Sequence, residues 1–186
     1  MNAGFLILIV LGVSALGYFF GRRRALALSA ASGRRLHSLP TYYGQLVALF
    51  AGVPALLLLL TWLFVQPIVL HGQVSSLIPD SAIPEGGARS LVMADVERIA
   101  GGLDALMQAR GLGEAELDRM RADMTDIRSR LADVGVALGS NVPVEVFEAA
   151  KAYRSAHRNG EMLMTASVLI LSLGLAFLAY RRVSPE

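Results

Sequence analysis

The side chains able to do chemistry in this 186-residue chain are few and scattered. Its histidines, His37, His71 and His157, stand far apart in sequence. Asp118, Asp123 and Asp126 come nearest to a cation loop. That run lacks the glycine and the terminal glutamate of a calcium loop and lies on a helical pattern. His157 sits near Tyr153 and Arg158 at the end of a helical stretch, a setting for a surface histidine rather than a metal ligand. The chain has no cysteine, which excludes a disulfide framework and a thiolate metal site. No P-loop, H-E-x-x-H motif or nucleophile elbow occurs. Nothing here assembles a nucleophile, a base or a metal site, so the expectation is no enzyme, no cofactor and no metal.

What stands out instead is arginine. The stretch GRRRALALSAASGRRLHSLPTYYG, residues 21–44, carries Arg22, Arg23, Arg24, Arg34 and Arg35 without one Asp or Glu. A net charge of +2 is too small to imply nucleic acid, so the clustering needs another reason. The elements around it supply one. Hydrophobic residues make up 54% of the chain and its mean hydropathy is +0.53. The apolar excess is gathered in three blocks, the pattern of an all-α integral membrane protein with three transmembrane helices. The first is residues 1–20, built on FLILIVLGVSALGYFF. About 20 residues suffice to cross a hydrocarbon core of about 30 Å. It is no signal peptide, because its arginines follow the apolar run and no A-x-A site comes next. The second, residues 45–70, contains Pro54, which would kink it, and Pro67 near its end. The third, residues 162–180, is followed by the interfacial anchors Tyr180, Arg181 and Arg182.

Short loops rich in arginine stay on the cytoplasmic side. Residues 21–44 then form a basic cytoplasmic loop, and 181–186 a cytoplasmic tail. The N-terminus lies outside, and residues 71–161 form a helical domain outside the membrane. Both arginine-rich pieces fall on one side, as three spans require.

Residues 71–87, HGQVSSLIPDSAIPEGG, read as a linker. Beyond it Val92, Val96, Ile99, Leu103 and Leu106 make one helix face. Leu117, Met120, Met124, Ile127, Leu131, Val134 and Leu138 continue a three-four alternation over about three heptads, opened by Glu114 and Glu116 at the positive helix end and closed by Gly139. The two stripes predict an antiparallel hairpin turning around 110–113, with Gly101 and Gly102 allowing close approach. A third helix starts near Asn141 and Pro143, with Val146, Phe147, Ala150 and Tyr153 on one face, and runs through Asn159 and Gly160 into the last span. Charges such as Arg119, Asp123, Asp126 and Arg130 read as a solvated face. The spans contain no Asp, Glu, Lys, Arg or His, so they are not expected to line an ion or substrate path. Ser14, Gln45, Thr61, Gln66, Ser167 and Ser172 can bond across helices or back to their own backbone, and Ala51 with Ala55, and Ser172 with Ala176, are small-xxx-small pairs.

Residues 20–64 carry a further pattern: GRxRA in Gly21, Arg22, Arg24 and Ala25; LHSLPxYYG in Leu36, His37, Ser38, Leu39, Pro40, Tyr42, Tyr43 and Gly44; and PALLLLLTW from Pro54 to Trp62. This resembles the N-terminal region of the permease subunit PstC of bacterial phosphate ABC transporters, in a subset of which an extra membrane region precedes the transport core. On physics alone, Leu36, Leu39, Tyr42 and Tyr43 would be headgroup-level anchors. The resemblance implies an accessory region of an inorganic phosphate importer in the bacterial inner membrane. It implies three partners: a second permease subunit, a cytoplasmic ATPase subunit and a periplasmic phosphate-binding protein. The core of about six further helices is not among these residues, so the resemblance assigns no phosphate-contacting residue. An outer helical domain held between membrane helices also describes a sensor input domain, the alternative reading.

Overall fold

The computed structural model describes residues 3–32, 39–83, 86–120, 127–138 and 142–183. Among them every regular element is helical: α1 (Ala3–Ser32), α2 (Pro40–Ser75), a 3₁₀ turn (Asp80–Ala82), α3 (Arg89–Arg110), α4 (Glu114–Arg119), α5 (Ile127–Asp133) and α6 (Val144–Arg182). The chain divides into two compact units, Met1–Val65 with Gly160–Glu186, and Gln66–Asn159. The expected all-α class holds, and α1, α2 and α6 are each long and apolar enough to cross a membrane.

Within the first unit the helices pair by register. Leu6 and Val10 of α1 pack with Ala55 and Leu59 of α2 and with Met164 and Val168 of α6. Ala25 of α1 packs with Val47 of α2 and with Ala179 and Val183 of α6. α2 is therefore antiparallel to α1 and α6, and the interior is apolar apart from Ser172, which is fully buried with its hydroxyl bonded neither across helices nor to its own backbone among the described residues. Leu8, Leu57, Phe64 and Ile170 are among many exposed large apolar side chains, the surface that a hydrocarbon solvent requires. Ser14 and Thr61 hydroxyls donate to the carbonyls of Val10 and Leu57, at 2.9 and 2.8 Å, so they bond back to their own backbone rather than across helices.

The helices exceed the expected spans. Residues 21–32, expected within the basic loop, continue α1, because Arg, Ala and Leu are strong helix formers and α1 meets no proline or turn signal there. α2 begins at Pro40 rather than 45, since proline is pre-shaped for the first helical position, and it runs unbroken through Pro54 and Pro67. α6 passes through Asn159 and Gly160 without a break.

The second unit is built on α3. Val92, Val96, Ile99, Leu103 and Leu106 are all buried, together with Val74, Ile78, Leu117, Ile127, Leu131, Phe147 and Ala150. Two expectations need correction. The stretch read as a linker is held in place: Val74 and Ile78 are buried, and Arg89 donates to the carbonyls of Ser75 and Ile78 at 2.6 and 2.8 Å and pairs with Asp80. That guanidinium caps the Ser75 carbonyl at the end of α2 and the Ile78 carbonyl of the turn beyond it. The second stripe is not one long helix either. α4 stops at Arg119, and Met120 is extended at φ −67°, ψ 133° yet stays buried. Gly101 faces open space, whereas a Cβ at Gly102 would lie 2.7 Å from Leu131 Cδ2, so only Gly102 marks the close approach to α5. Met124 and Gly139 lie outside the described residues.

α5 closes instead at Gly135, φ +86°, where the amides of Gly135 and Val136 donate to the carbonyls of Ala132 and Leu131. α3 closes similarly at Gly111, φ +63°. A side chain is strained in that left-handed region. Gly111→Ala and Gly135→Ala are each expected to cost about 1–2 kcal/mol, read as faster hydrogen exchange of the α3 amides.

Candidate functional site

The motif residues meet where α1, α2 and α6 come together in the first unit. Leu39 and Tyr42 are exposed, and the Tyr42 amide donates to the Leu39 carbonyl at 2.9 Å as α2 starts. Tyr43 packs on the cluster of Ala25, Val47, Ala179 and Val183. Leu36, His37 and Ser38 lie outside the described residues. Gly44 is the tightest member. A Cβ there would stand 2.7 Å from the Tyr18 carbonyl oxygen and 2.9 Å from its ring. A Cβ at Gly21 would meet Val47 at 2.9 Å and the Tyr43 carbonyl at 3.1 Å, and one at Gly17 would meet Val47 at 3.1 Å. Further along, a Cβ at Gly52 would lie 2.5 Å from the Ser14 hydroxyl. The α1–α2 crossing therefore depends on glycines from both helices. Ala51 and Ala55, the expected small-xxx-small pair, are buried, but the local signal of this crossing is the GxxxG spacing of Gly17 and Gly21, absent from the expectations above.

Around this crossing lies a basic end. Arg24 donates through Nε to the Val183 carbonyl at 3.1 Å and lays its guanidinium 4.5 Å from the Tyr180 ring centroid. The contact binds the arginine-rich end of α1 to that of α6, so both basic pieces occupy one end of the unit. Arg22 is exposed. Arg23 covers the Phe19 ring at 4.2 Å and Arg181 covers Phe177 at 5.8 Å. Residues 1–65 contain no acidic residue to neutralise this charge.

The second unit holds a separate charged cluster. Arg154 follows Phe147 and Ala150 on one face of α6 and is only 9% exposed. It forks onto Glu114, with Nη1 to Oε2 at 2.7 Å and Nη2 to Oε1 at 2.9 Å, and its Nε meets Asp104 Oδ1 at 2.5 Å. Arg158 pairs with the same Glu114 carboxylate. His157 stacks on Tyr153, and its carbonyl accepts from Gln66 Nε2 at 3.2 Å. Glu114, expected only to favour its helix dipole, thus ties α4 to α6. The sequence signal was an arginine at the next position of an apolar stripe. Among the described residues no group of His, Cys, Asp or Glu is arranged to hold a metal. The cluster ties α3, α4 and α6 together.

Hydrogen bonds from Arg154, helped by the charges of Arg154 and Arg158, hold the Glu114 carboxyl below its ordinary value, although burial works the other way. Its stabilising effect is complete above the unfolded carboxyl pKa, about 4.3, and is lost as pH falls through the lower folded value. Protection factors of the α3 amides are expected to stay level from pH 7 to about 5 and to fall below about pH 4. Glu114→Gln should remove that acid step.

A family model described as phosphate ATP-binding cassette transporter matches residues 6–177. No curated protein and no solved structure matches the chain.

Proposed function

The chain belongs to the phosphate ATP-binding cassette transporter family, and we propose that it is the N-terminal membrane region of an inorganic phosphate importer's permease, accessory to the transport path. The observation that carries this reading is the interior of the three-helix unit. Leu6, Val10, Ala55, Leu59, Met164 and Val168 fill it with hydrocarbon, and a phosphate ion cannot be desolvated there. Transport then belongs to other parts of the assembly. In this reading the basic end faces the cytoplasm of a bacterial inner membrane and Gln66–Asn159 projects into the periplasm. There it assists assembly or the docking of a periplasmic phosphate-binding protein. A second permease subunit and a cytoplasmic ATPase subunit complete the assembly, and the chain itself is no enzyme.

Deleting residues 88–139 from the whole transporter tests this. Impaired phosphate uptake, with loss of the binding protein or of a permease subunit on purification, is the expected result. Unchanged uptake, assembly and regulation would sink the reading. A sensor input domain is the second reading, favoured by one observation: α6 is continuous from Val144 to Arg182, so a shift at its start can move its basic end. A chain found in its own membranes without an ATPase or second permease would favour it.

A further inference from the structure

A groove of about 270 Å³ opens on the first unit between α1 and α6, with Val47 contributing to its lining. Val13, Leu16 and Phe20 form one wall, and Leu173, Phe177 and Tyr180 the other. Each wall spans seven residue steps, about 10 Å of helix. One extended alkyl chain can lie along a groove of this length and apolar lining. At the basic end the groove meets guanidinium groups: Arg24 covers Tyr180 and Arg181 covers Phe177, both rings of the groove wall. Arg23 lies close by on Phe19, itself edge-to-face with Phe20 at 5.9 Å.

We propose that this groove binds one acyl chain of an anionic phospholipid, whose phosphate is held by Arg23, Arg24 and Arg181. Hydrocarbon against hydrocarbon gives little selectivity in a bilayer, so the charge supplies the preference and the groove supplies residence. Arginines beside an anionic headgroup attract it strongly, and guanidiniums laid on aromatic faces at the end of the groove are placed to do so. The inference concerns the membrane unit alone and stands whether or not the chain serves phosphate import.

The test is native mass spectrometry of the full chain in neutral detergent, titrated with dioleoyl phosphatidylglycerol or dioleoyl phosphatidylcholine. One phosphatidylglycerol is expected to remain bound, with affinity roughly tenfold or more above phosphatidylcholine. Ala176→Leu, which fills the groove, should lower that affinity about tenfold while helicity is retained. Arg23→Gln with Arg181→Gln leaves the groove intact and Arg24 in place, and should cut the preference between the lipids severalfold; an unchanged preference overturns the proposal. Equal binding of the two lipids overturns the proposal, as does phosphatidylglycerol binding that Ala176→Leu leaves unchanged. Lipid-free dimers that Ala176→Leu dissociates would assign the groove to a second copy and overturn it as well.

Discussion

Gly44→Ala is expected to force α1 and α2 apart and to cost about 3 kcal/mol, the upper range of overpacking. The size follows from what the new methyl would strike. Its nearest neighbour is the Tyr18 carbonyl oxygen at 2.7 Å, and backbone cannot rotate away as a side chain can. The whole crossing must shift, and Val47, Tyr43 and Ala25 would lose contacts with it. Gly21→Ala should behave similarly but more mildly, because its hardest contact is a methyl of Val47 at 2.9 Å. Gly12→Ala and Gly174→Ala are the controls. Both positions face open space, and the change should be neutral or stabilising by up to about 1 kcal/mol. Trp62, the one tryptophan, packs against the cluster that contains Leu6 and Leu59, so its fluorescence follows unfolding of this unit during titration with a denaturing detergent. A Gly44→Ala midpoint equal to that of the Gly12→Ala control would show that the crossing does not depend on glycine.

How far the sequence reveals these features depends on their range. The spans were legible because apolar runs of their length have few other uses, and Arg22 to Arg24 beside Arg181 and Arg182 predicted that two helix ends share a side. Arg24 on Val183 joins those ends. The α3 stripe was legible because each of its spacings places a side chain on the buried face. The same spacing misled beyond Leu117. Met120 keeps its place in the stripe and stays buried, but it does so on extended backbone, and no glycine or proline marks the break. Burial periodicity records which residues face the core and not how the chain reaches them. The helix crossing was only half legible: GxxxG at Gly17 and Gly21 is a local pattern, but its partners Gly44 and Gly52 are distant. The charged cluster of Arg154 was not legible at all as a set, because Asp104, Glu114 and Arg154 share no local spacing.

That cluster supports the second large effect. Arg154→Ala is expected to destabilise the helical unit by about 2–3 kcal/mol. The arginine is 9% exposed, and its removal deletes three charge-assisted hydrogen bonds and the buried stem that packs beside Ala150. The cost stays below that of a fully buried pair because Asp104 and Glu114 are about half exposed and can be rehydrated. Arg154→Met separates the contributions. It restores much of the stem volume without the charge, so it should recover the packing share and leave a loss of roughly 1–2 kcal/mol. Glu114→Ala in the Arg154→Ala background should cost far less than in the wild type, with a coupling of about 1–2 kcal/mol. Hydrogen exchange of the α3 amides reads all of these, since Asp104 stands on α3. Full additivity of the two alanine changes would mean that the ion pair contributes nothing and that Arg154 acts through its hydrocarbon alone. Strong coupling would make the Arg154–Glu114 fork the clasp that holds α4 against α6, and with it the acid sensitivity expected of Glu114.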